Sequence, residues 1–231
     1  MSETPDLFNI FFYIFDILVS GLPQTLLLTA EGLLGGFLLG ISLALMRVYG
    51  GRTFAWIAST YEKILRSIPL LVLIFIFAFV FPGLFWFIDL RLRTLAAVVT
   101  SLALRSGAYQ SQIFRGAILS VNPGQMEAAQ ALGMSRFQAF RHVVFPQALR
   151  LAVPSWSNEY AVVIKDTSFA GAVGIIEMTK LGYYISTDFP ELWAVYMGII
   201  AILYFLFTFP VTKLFGERQT KKLKDLGMGG G

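Results

Sequence analysis

The sequence predicts an all-α integral membrane protein of about five transmembrane helices, with the N-terminus outside and the C-terminus in the cytoplasm. Three observations predict it. Of 231 residues, 56% are hydrophobic, 15% aromatic and only 14% charged, more apolar surface than a water-soluble core of this size can enclose. The apolar residues gather in segments near the roughly 20 residues that a helix needs to cross a bilayer. The net charge of +4 is unevenly spread, which orients the chain and argues against nucleic acid as a partner.

Taken in order, the apolar and aromatic stretch 8–19, with Asp16 near its end, reads as an interfacial helix outside the first span, with a sixth membrane helix as the alternative. Spans are expected over 21–46, 54–82, 94–119, 151–175 and 193–215. Arg47, Arg52, Arg136, Arg141, Arg150, Lys213, Arg218, Lys221, Lys222 and Lys224 then share one face, placed in the cytoplasm by the positive-inside rule. Arg91, Arg93 and Lys180 fall opposite, with Glu3, Asp6, Asp89, Glu177, Asp188 and Glu191. Segment 174–190 is too polar to cross and is expected as a short outer helix and loop, while 216–231 forms a cytoplasmic tail ending in GMGGG, to which no function is assigned. The N-terminus lacks the basic region and cleavage site of a secretory signal.

Between the third and fourth spans lies NPGQMEAAQALGMSRFQAFRHVVFP, residues 122–146, a polar helical hairpin on the cytoplasmic side. Asn122 as N-cap with Pro123 at the first helical position starts one short helix, which Gly133 ends. Ser135 and Gln138 form a capping box that starts a second helix, expected to close at Pro146.

Charges inside spans are costly and mark a pathway. On the fourth span Glu159 and Asp166 lie seven residues apart, about two turns or roughly 10.5 Å along one face, with Asn158 beside the first and Lys165 beside the second. On the third, Arg105, Tyr109 and Gln112 recur at helical spacing. A zwitterionic solute needs both signs: Arg105 or Lys165 suits its carboxylate, Asp166 or Glu159 its ammonium. The same charges could instead neutralise one another and hold helices in register. Glu31, within the first span, faces either the pathway or the water near its outer end, and Arg66 and Pro69 lie in the second span. His142, the only histidine, reads as solvated or structural, and the four tryptophans as interfacial anchors.

No cysteine, GxSxG or HExxH is present, so catalytic residues and a metal site are not expected. No GxxxxGK[ST] run occurs either, so nucleotide hydrolysis would belong to another polypeptide.

Glu127, Ala128, Ala129, Gly133, Val143, Phe145 and Pro146, at their spacing, resemble the EAA loop of permease subunits of ATP-binding-cassette importers, with Val143 and Phe145 in place of the usual Ile and Leu. The runs 21–29, 66–71, 106–118 and 165–170 resemble the polar amino-acid subfamily in the same order, and Asn158–Glu159 is similar to the form in transporters of basic amino acids. The resemblance implies a type I importer permease in a prokaryotic cytoplasmic (inner) membrane. Its loop, through Glu127, Ala128, Ala129 and Gly133, would couple to a separate ATPase subunit that holds ATP and Mg, with no cofactor bound by this chain. It further implies a second permease subunit, identical or homologous, an extracytoplasmic solute-binding protein, and an amino-acid substrate met by Asn158, Glu159, Lys165, Asp166, Arg105 and Tyr109. In that scheme Glu159 faces a side-chain cation and Asp166 and Lys165 meet the backbone groups, with glutamine, glutamate or another polar amino acid as the alternative substrate. An ion-gradient-driven carrier or channel is the alternative mechanism.

Overall fold

A computed structural model describes residues 7–225, all of whose regular structure is helical. Glu3, Asp6 and the terminal GMGGG lie outside the described residues. Helix α1 (Leu7–Ser20) runs through Gly21 into α2 (Leu22–Tyr49), so Asn9–Tyr49 forms a single apolar rod of 41 residues. The stretch 8–19 is thus continuous with the first span and forms the start of this rod. Its Ile14 and Leu18 are fully buried against α9 (Met178–Asp188) and α10 (Trp193–Val211), in a cluster with Met178, Ile185, Tyr196 and Leu203.

The second expected span, 54–82, is not straight. Helix α3 (Gly51–Ser67) meets α4 (Leu70–Phe75) and its π-helical extension Ile76–Val80 at 101°. Proline disfavours helical geometry in the residue before it, and Ile68 is accordingly extended (φ −85°, ψ 127°). Helix α5 (Leu90–Leu119) and helix α8 (Phe145–Asp166) are the third and fourth long rods. Among the described residues, two helices are long and apolar enough to cross a membrane by length and composition, or up to three if the bent pair is one span. Helices α5 and α8 lie outside that set because they hold the polar residues described below.

Helix α2 lies along α5 through a row of glycines. A Cβ added at Gly32 would meet Leu102 at 2.9 Å, at Gly36 Gln110 at 2.7 Å, and at Gly40 Gln110 at 2.7 Å. Small residues at intervals of four let helix backbones approach closely, the usual means of association where lipid removes the hydrophobic drive. Outside the pathway, Glu177 caps α9 through the backbone N–H groups of Thr179 (2.8 Å) and Lys180 (2.7 Å), and burial raises its carboxyl pKa above the ordinary value.

The hairpin forms as expected at its start. Asn122 accepts from the N–H of Gly124 at 2.8 Å ahead of α6 (Pro123–Ala131). Gly133 takes φ +86°, a left-handed turn that suits glycine, and both halves of the Ser135–Gln138 capping box form ahead of α7 (Arg136–Ala139). Its end differs: Pro146 does not terminate the second helix. The backbone widens to π geometry over Phe140–Val144, Phe145 donates to the carbonyl of Phe140, and Pro146 falls in the first turn of α8. Proline lacks the N–H that an interior position requires, and the wider turn absorbs that defect. The hairpin's second arm is therefore continuous with α8.

Candidate functional site

Helices α5 and α8 face each other through polar side chains. Arg105 is ion-paired with Asp166, both largely shielded. Two turns down α8, Glu159 is 6% exposed and accepts from Ser106 Oγ at 2.7 Å. Gln110 Nε2 donates to Ser106 Oγ (3.0 Å) and to the Leu33 carbonyl of α2 (3.1 Å), and Trp156 Nε1 donates to Gln110 Oε1 (2.9 Å). Glu159 and Asp166 thus share the α5-facing side of α8, as their seven-residue spacing predicts. Among the described residues no cation is ion-paired with Glu159, whereas Asp166 has Arg105. Of the charges that could neutralise one another, Arg105 and Asp166 form an ion pair, while Glu159 takes its hydrogen bond from Ser106.

Tyr109 is brought to the same place. The guanidinium of Arg105 lies 5.2 Å from its ring centroid and that of Arg66, at the end of α3, 4.9 Å. Two cations on one aromatic ring gain from its quadrupole while leaving their polar edges open to an anion. Lys165 and Asn158 are not gathered in with Glu159. Both are exposed on α8, where Asn158 lines a cavity of about 610 Å³ with Pro154, Thr212, Gly216, Glu217, Thr220 and Lys221. One side chain of the Asn158–Glu159 pair therefore points inward and the other lines a cavity with Thr212, Gly216 and Thr220.

Several polar residues escaped sequence reasoning. Glu62, in α3, is 1% exposed and ion-paired with Arg47, and accepts from Ser111 Oγ at 2.6 Å. Gln112, expected beside Arg105 and Tyr109, instead donates to Glu62 at 3.3 Å. The signal was present: Glu62 is an acid inside a segment read as a span, the same criterion that singled out Glu159. Trp156 is a hydrogen-bond donor to Gln110, while Glu31 leaves one buried carboxylate oxygen without a partner.

At the far end of α8 the hairpin presents an apolar tip, with Leu132 83% and Phe137 68% exposed. Glu127 and Ala128 are exposed on α6 and Ala129 is buried within the hairpin. The hairpin rests on the bundle where Phe140 packs edge-on against Tyr49 of α2, with ring centroids 5.3 Å apart. His142 is exposed.

Comparisons with known proteins agree with this arrangement. The chain is 33% identical over 213 residues to the glutamine transport system permease protein GlnP of Escherichia coli, covering 91% of this chain and 94% of that protein. It is 38% identical over 207 residues to the nopaline transport system permease protein NocM of Agrobacterium fabrum, covering 87% and 85%. A solved structure described as an amino acid ABC transporter with histidines superposes with a TM-score of 0.76 at 32% identity, covering 94% of this chain and 99% of that one. An inward-facing structure of the MetNI methionine ABC transporter shares the fold, with a TM-score of 0.69 at 22% identity over 90% of this chain and 96% of that one. The model of binding-protein-dependent transport system inner membrane components matches residues 36–223, and the chain belongs to that family.

Proposed function

We propose that this membrane component is the permease subunit of an ATP-driven importer of polar amino acids, basic ones foremost, and that a separate ATPase subunit drives it through the hairpin at Glu127, Ala128, Ala129 and Gly133. The observation that carries the reading is mechanical. The capped hairpin, with Leu132 and Phe137 exposed at its tip, continues without a break into the helix that bears Glu159 and Asp166. A partner that moves the tip moves α8 against α5, and alternating access follows as a rigid-body displacement. ATP and Mg belong to the partner. Two permease subunits, identical or homologous, enclose the pathway, and an extracytoplasmic solute-binding protein delivers the solute.

Preference for a basic solute rests on charge. Glu159 accepts a hydrogen bond from Ser106 and has no cationic partner among the described residues, so a substrate's side-chain cation completes it. Arg66 and Arg105 over Tyr109 offer donors to the substrate carboxylate. The amino-acid transporter relatives support the solute class. The test is uptake of labelled amino acids by the complete complex in liposomes with candidate binding proteins. Uptake that requires ATP supports the reading; uptake that persists without ATP and stops with a proton or sodium ionophore contradicts it.

A further inference from the structure

We propose that Glu62 is a positioning residue through which displacement of the hairpin reaches the charged groups around Tyr109, an inference that rests on the ATP-driven reading above. Glu62 is fully buried and joins three helices: its own α3, α2 through the ion pair with Arg47, and α5 through Ser111 and Gln112. A carboxylate in such a place persists only with partners that match its charge. It is also what holds α3 to the bundle. The buried residues of α3 are Ala58 and Glu62, so little apolar packing does that work, and the adjacent Tyr61 adds a hydrogen bond to the carbonyl of Leu104 at 2.8 Å.

The position of this hub gives it a role beyond packing. Two residues past Arg47, Tyr49 contacts Phe140 in the hairpin's second arm. One turn past Glu62, Arg66 reaches the ring of Tyr109, whose other cation, Arg105, is the partner of Asp166. Contact is thus continuous from the hairpin through α2 and Glu62 to Tyr109, Arg105 and Asp166. Helix α3 is also free to act as a unit. Gly51, at φ +69°, breaks the chain at its start, and the 101° bend breaks it at its end. A rod between two breaks, clamped at one charged point, transmits a shift of α2 to Arg66 instead of dissipating it.

The test is Glu62→Gln in the complete complex reconstituted in liposomes. Glutamine keeps the size and the acceptor for Ser111 and removes the charge that Arg47 meets; Arg47 is 21% exposed and turns to water. The expected result is that assembly with the ATPase and ATP hydrolysis persist, KM stays within about twofold, and solute carried per ATP falls about tenfold. Arg47→Gln, at the more exposed end of the pair, is expected to lower the same ratio and serves if Glu62→Gln does not assemble. An unchanged ratio in both variants overturns the inference. So does a loss of uptake that merely tracks the amount of assembled complex, which is what a structural role alone produces. Wild-type uptake independent of ATP would strike instead at the reading on which the inference rests.

Discussion

Replacing Glu159 by Gln removes one charge from between α5 and α8 and little else. The introduced amide retains an oxygen for the Ser106 hydroxyl, which lies 2.7 Å from the carboxylate, so the chain Ser106–Gln110–Trp156 keeps its geometry. What disappears is a negative charge that forms no ion pair among the described residues. A hydrogen bond to a charged group contributes about 1.5–3 kcal/mol, more than a neutral one. At about 1.4 kcal/mol per tenfold, the KM for lysine or arginine should rise about 10- to 150-fold. Uptake of glutamine, which brings no side-chain cation, should change by less than about threefold, the worth of a fraction of a neutral hydrogen bond. The assay is initial uptake by the reconstituted complex over a range of each solute, with ATP inside. An equal loss for basic and neutral substrates would refute the argument that Glu159 reads side-chain charge.

Three further outcomes follow from the geometry. Arg105→Ala and Asp166→Asn should each cost more than half of what the double variant costs in uptake, with a coupling energy of about 1–3 kcal/mol in a double-mutant cycle, because the two side chains form one unit. Strict additivity would contradict the pair. Gly40→Ala places a methyl group 2.7 Å from Gln110, so α2 and α5 must separate, and thermal unfolding of the purified protein should show a loss of about 1–3 kcal/mol; an unchanged midpoint would count against close packing of that row. Gly133→Pro or Glu127→Arg should weaken capture of the ATPase subunit while the chain remains in the membrane, since the first abolishes the φ of +86° and the second reverses an exposed charge on α6. Normal capture by both would remove the hairpin from the coupling role.

Local chemistry made the hairpin legible from sequence. Caps act within three or four residues, so Asn122, Gly133 and the Ser135–Gln138 box declare themselves without knowledge of the rest of the chain. The helical faces were legible for the same reason, and Glu159 with Asp166 lie on one side of α8 as their spacing requires. Partners were not. Ser106 finds Glu159 across 53 residues and Ser111 finds Glu62 across 49, distances over which a pattern of residues says nothing about register. Pro146 misled because a π turn accommodates a proline that would end an ordinary helix. The bend at Ile68–Pro69 lies where the charged α3 gives way to the apolar α4, a change that a single span drawn over 54–82 conceals.

The central claim is that motion enters this chain at the tip of the hairpin, and the absence of cysteine makes it directly testable. Leu132→Cys or Phe137→Cys gives a single thiol at the exposed tip, to be cross-linked to a cysteine placed on the proposed ATPase subunit. The account predicts an efficient cross-link that stops ATP-driven uptake and releases it on reduction. A thiol that reacts only with reagent applied from the extracytoplasmic side, and never joins the ATPase, would contradict it.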